Sequence, residues 1–66
     1  MILLRQEREK KGISQTELAR LSGVKQQSIS MIEQGKQKNP GIETLNALAV
    51  ALSCDLRDLY KPETTY

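Results

Sequence analysis

The sequence has no histidine, no tryptophan and no phenylalanine, and a single cysteine, Cys54, among 66 residues. Without histidine and with one thiol, neither a tetrahedral zinc site nor an intrachain disulfide can form, so no metal and no other cofactor is expected. The usual general base is missing as well, which argues against an enzyme. Long apolar runs are also lacking. The longest, Ala47 to Leu52, is far below the roughly 20 residues that span a bilayer. Met1-Ile2-Leu3-Leu4 meets charge at Arg5, the reverse of the order in a secretory signal. These absences describe a reduced, cytoplasmic chain with no membrane partner and no evident small-molecule ligand. A chain this short buries only about 60% of its unfolded surface, too little for two domains or a deep pocket. Residues 1–61 are therefore expected to form one domain, with 62–66 as a tail.

Charge is present but uneven. Residues 1–40 carry eight Lys or Arg against four Glu, whereas 41–66 carry Arg57 and Lys61 against Glu43, Asp55, Asp58 and Glu63. A basic half joined to an acidic half suits a surface that faces a polyanion.

β-branched residues never alternate, so strands have no support, and the punctuation marks out helices instead. Residues 2–11 are rich in helix formers and stop at Gly12. Ser14 and Glu17 have the spacing of a capping box, opening a helix over 15–22 that ends at Gly23. A third helix, 26–34, is closed by Gly35. After the loop Asn39-Pro40-Gly41, a fourth helix over 42–52 places Leu45, Leu48, Ala49 and Leu52 at core spacing. Asp55, with Asp58 three residues on, caps a short fifth helix holding Leu56 and Leu59. The expected fold is all-α, five short helices around one core.

The join between helices two and three carries the functional signal. Gly23 supplies a tight turn, Val24 an apolar plug, and Ala19 a small side chain that lets the next helix cross closely. Ile29 and Ile32 then face inward and leave Gln26, Gln27, Ser30, Met31 and Gln34 outside, the pattern of a helix-turn-helix. Amides and hydroxyls on an exposed face, where Glu/Lys pairs would serve solubility, can donate to and accept from base edges in a major groove. A plain polar face is the alternative. Cys54 reads as a small buried hydrophobe, and Met31 as exposed.

The joint order Arg8-x3-Gly12-Ile13-Ser14-Gln15, Leu18-Ala19, Gly23-Val24, Ile29-Ser30-x-Ile32-Glu33-x-Gly35-Lys36, Asn39-Pro40-x-Ile42-Glu43-Thr44-Leu45 and Leu48-Ala49-x-Ala51-Leu52 resembles the phage-repressor and Cro type of helix-turn-helix. This is the XRE-like family with the lambda-repressor-like fold, and the resemblance runs from about Leu4 to Tyr60. It implies double-stranded DNA as partner, with Lys25, Gln26, Gln27, Ser30 and Met31 at base-reading positions. Gln15, Ser28, Lys36, Lys38 and Asn39 would contact phosphates, and Arg8 and Glu33 would form a structural ion pair. It further implies a transcriptional regulator acting as a homodimer on a palindrome, with Leu56, Arg57 and Tyr60 near the dimer contact. An antitoxin or protein-interaction module using the same fold is the alternative. Three positions depart from the family. Lys25 replaces the usual Ser or Thr cap, Glu7 a usual Leu, and Ser53 a usual Gly, at about 1 kcal/mol of strain if the backbone there is left-handed. The chain is either a small autonomous regulator or a fragment of a longer one.

Overall fold

The computed structural model of the chain describes residues 2–37 and 39–60. Within them run five helices: α1 (Leu4–Lys11), α2 (Gln15–Ser22), α3 (Gln26–Glu33), α4 (Ile42–Ala51) and α5 (Leu56–Leu59). The expected tail, 62–66, and the phosphate-contact position Lys38 lie outside the described residues.

Each boundary has a local cause. Gly12, Gly23 and Gly35 hold φ of 69°, 77° and 77°, a left-handed conformation open to glycine without a Cβ penalty. Ser14 Oγ accepts the Glu17 N–H at 3.0 Å and so opens α2. The returning half of that box is replaced by an i,i+3 pair between Glu17 and Arg20. The fifth helix does have it: the Asp58 carboxylate accepts the Asp55 N–H at 3.1 Å, which accounts for two neighbouring carboxylates without invoking chemistry.

Three ends depart from the sequence expectation, the smallest at α3, which stops at Glu33 with Gln34 as its C-cap rather than its last residue. α1 begins at Leu4 rather than residue 2, because the chain before it is used elsewhere. Ile2 forms an isolated antiparallel bridge with Tyr60, and the Leu3 N–H donates to the Leu59 carbonyl at 2.7 Å. α4 stops at Ala51 because Ser53 turns the chain with φ 55°, the one non-glycine residue at positive φ among those described.

Leu4, Leu18, Ile29, Ile32, Leu48, Ala49, Leu52 and Leu59 form one buried cluster, with Ile2, Ile13, Ala19, Val24, Ala51 and Cys54 packed against it. All five helices contribute. Each fully buried Leu or Ile is worth about 1.5–3 kcal/mol, so the angle of α3 is set by two such residues, Ile29 and Ile32. Burial pushes the Cys54 thiol up, away from the reactive thiolate. Among the described residues no helix is long and apolar enough to cross a membrane.

Candidate nucleic-acid interface

The turn between α2 and α3 is fixed from both sides. The Gly23 N–H donates to the Ala19 carbonyl at 2.9 Å, and the Val24 N–H donates to Ser22 Oγ at 3.1 Å. Val24 and Ala19 both pack against the core. With Ile29 and Ile32 turned inward, Gln26, Gln27, Met31 and Gln34 are exposed and Ser30 half-buried. At 100° per residue these five side chains occupy one arc of the helix. Ser28, on the flank between this arc and Ile32, is half-buried.

The ends of α3 bear on the same arc. Lys25 is the N-cap residue, extended at φ −61°, ψ 140°, and makes no side-chain cap. A lysine has no acceptor to offer the first-turn N–H groups, and a cation at this end is a poor match to the helix dipole that an anion there would offset. Beyond Glu33 the chain is pinned by the Met31 carbonyl, which accepts the N–H groups of Lys36 at 2.9 Å and Gln37 at 3.2 Å. Lys36 and Asn39 are exposed next to this anchored turn.

Glu33 supplies the only carboxylate within α3, and it points into the protein. Its side chain is 4% exposed and that of Arg8 13%. Arg8 Nε donates to Glu33 Oε2 at 2.7 Å and Arg8 Nη2 to Oε1 at 3.0 Å, the two-pronged geometry a guanidinium favours. Arg8 Nη1 also donates to the Ile13 carbonyl at 2.8 Å, and Gln15 Nε2 donates to Glu33 Oε1 at 3.0 Å. One carboxylate thereby joins α1, the start of α2 and the end of α3. Burial by itself pushes the Glu33 carboxyl up, but the bonds from Arg8 and Gln15 and the Arg8 charge outweigh it and hold the group below the usual carboxylate range. The same hydrogen bond raises Arg8 further above its ordinary value.

Sequence reasoning missed the bond from Gln15 to Glu33. The structure uses one N–H of the half-buried Gln15 amide in this network, so a phosphate contact from this residue would draw on the second. The missing signal is three-dimensional, because the bond depends on where α3 ends relative to α2. A second unforeseen contact lies on the exposed arc itself: Gln34 Nε2 donates to Ser30 Oγ at 2.8 Å.

Away from α3, Leu56, Arg57 and Tyr60 line an open groove of about 540 Å³ together with Pro40, Ile42 and Leu45. Ile42 and Tyr60 are 64% and 44% exposed there. Among the described residues, no group of three or more Asp, Glu or Cys side chains could hold a metal ion.

A pair of short helices across a glycine turn, braced by three others, defines a helix-turn-helix domain. The chain belongs to the helix-turn-helix family, of the XRE type, which matches residues 4–59 and is not an enzymatic family. It is similar to the HTH-type transcriptional regulator SinR of Bacillus licheniformis, 37% identical over 65 residues, 96% of this chain and 59% of that protein. It is 36% identical over 62 residues to the HTH-type transcriptional regulator SlrR of Bacillus subtilis, covering 94% of this chain and 41% of SlrR. An uncharacterized HTH-type transcriptional regulator of Haemophilus influenzae is 53% identical over 45 residues, 68% of this chain and 45% of its own length. The chain thus spans about two-fifths to three-fifths of the curated relatives it matches.

Proposed function

We propose that the chain is the DNA-binding part of a bacterial or phage-type transcriptional regulator working in the cytoplasm, with α3 lying in the major groove of double-stranded DNA. The observation that carries the reading is the exposed arc of α3. It presents amides, a hydroxyl and a thioether between two lysines, while its one carboxylate is turned inward onto Arg8. In this reading Gln26 and Gln27 contact base edges, since a glutamine amide can bond adenine N6 and N7 together, discriminating by about 1–3 kcal/mol. Lys25, Ser30 and Met31 complete the base-facing set. Gln15, Ser28, Lys36, Lys38 and Asn39 hold the phosphates, contacts that position the protein without reading sequence.

A single module of this size binds DNA weakly, so a homodimer spanning two half-sites about 34 Å apart on a palindrome completes the proposal. The apolar groove carrying Leu56, Arg57 and Tyr60 supports placing the second copy there. Occupancy of such a site near a promoter would exclude or recruit polymerase.

Selection of bound sequences from random duplex DNA, repeated with Gln27→Ala, tests base reading. Loss of preference at one position is expected, whereas uniform weakening would move Gln27 to the phosphate contacts. Affinity should fall steeply with salt. A flat salt response would favour a protein partner, as in an antitoxin.

A further inference from the structure

Ser30 and Gln34 lie one turn apart on the exposed arc, and Gln34 is attached to Ser30 twice. Its backbone N–H donates to the Ser30 carbonyl at 3.0 Å, and its side-chain Nε2 donates to Ser30 Oγ at 2.8 Å. A serine hydroxyl has one hydrogen to give and two lone pairs to offer. Here one lone pair is taken by Gln34, and the hydroxyl makes no other hydrogen bond among the described residues. The usual outlet of a helical serine, donation to the carbonyl four residues earlier, is not used. Hydroxyl hydrogens generally rotate to suit whatever is nearby, which makes serine an undiscriminating reader able to bond donor or acceptor alike. A donor held on the oxygen takes one of its two lone pairs and so removes that freedom in part.

We infer that Gln34 is a specificity-positioning residue: by occupying one lone pair of Ser30 Oγ it biases the Ser30 hydroxyl toward donating to DNA, so that a facing base with an acceptor is preferred. This rests on the proposed placement of α3 in the major groove and deepens it. In that groove guanine offers N7 and O6, adenine N7 and thymine O4, whereas cytosine offers only the N4 amino donor. Cytosine is therefore the base disfavoured opposite Ser30. Gln34 itself touches no base in this account, and its effect passes entirely through the serine.

The test is a cycle of four proteins, wild type, Ser30→Ala, Gln34→Ala and the double variant, each put through selection from random duplexes and each checked for unchanged melting. The wild type is expected to deplete cytosine at one position by about threefold to tenfold, the range of one neutral hydrogen bond. Gln34→Ala should flatten preference at that position and no other, and should change nothing further once Ser30 is alanine, since residues acting through one contact are non-additive. Gln34→Glu supplies a sharper arm. A carboxylate can only accept, so it captures the serine hydrogen and turns the preference toward cytosine or adenine amino groups. The added charge lowers affinity for all sequences alike. Wild-type preference retained in Gln34→Ala, or an equal effect of that change with and without Ser30, would overturn the inference alone. A wild type that selects no duplex at all would end the proposed function, and this inference with it.

Discussion

The outer faces of α1 and α2 and the surroundings of α3 treat their cations in opposite ways: on α1 and α2 three of the four exposed cations, all but Lys11, are paired. On α1, Arg5 pairs with Glu9 at 3.4 Å and Lys10 with Glu7 at 3.1 Å, and on α2 Arg20 pairs with Glu17. These are short-range helix pairs, largely solvated, that neutralise charge where it arises. Lys25 and Lys36 at the two ends of α3 have no carboxylate partner among the described residues. The acidic residue nearest Lys36 in sequence, Glu33, is spent on Arg8 across the interior. The same types of side chain thus build a largely paired outer coat on one side and a positive, carboxylate-free strip on the other. What differs is partner choice, and it is decided by which helix face each glutamate occupies.

That contrast can be broken most severely at its centre. Glu33→Ala leaves a mostly buried guanidinium unpaired and should lower stability by about 3–5 kcal/mol, most of what so small a domain has. Urea unfolding of the variant at neutral pH measures this, and wild-type-like melting would reduce the pair to decoration. Acid should produce a related, smaller loss. Because the folded Glu33 carboxyl lies below its ordinary range, its contribution is complete above about pH 4.3 and disappears as pH falls through the folded value. Comparing urea midpoints of the wild type and Glu33→Gln between neutral pH and pH 3 should show a steeper acid decline in the wild type, and equal declines would remove Glu33 as the source. At the strip, Lys36→Gln should reduce the slope of log affinity against log salt by about 1, while Lys10→Gln on the paired coat should leave it unchanged. Equal slopes for the two variants would erase the distinction between the surfaces. The smallest effect is expected at Ser53→Gly, which relieves a left-handed φ of 55° and should raise stability by up to about 1 kcal/mol. A rise in melting temperature with unchanged DNA affinity is the signature.

Much of the fold could be read from local chemistry. Gly12, Gly23 and Gly35 end or follow helices at positive φ, Ser14 opens α2, and Leu45, Leu48, Ala49 and Leu52 are buried as their spacing implies. All of these are decided within one turn of chain. The inward turn of Ile29 and Ile32 was legible for the same reason, and with it which side chains of α3 are left outside. What escaped has partners far apart in sequence or a choice between equivalent hydrogen bonds. The bridge between Ile2 and Tyr60 joins the two ends of the described chain, and no periodicity announces it. Gln15 could have bonded solvent, Gln26 or Glu33, and only the packed position of α3 selects Glu33. The polarity of the contact between Gln34 and Ser30 is likewise invisible until both side chains are placed.

The clasp formed by Ile2 with Tyr60 and by Leu3 with Leu59 has a further consequence for cooperativity. α1 and α5 lean on one another through it, with Leu4 and Leu59 sealed beneath, so neither end of the bundle is free to fray by itself. The amide of Leu3, although it precedes the first helix, should exchange its hydrogen with water as slowly as amides in the centre of the bundle, through opening of the whole domain. Trimming the chain back past Leu59 would then loosen a helix more than forty residues away.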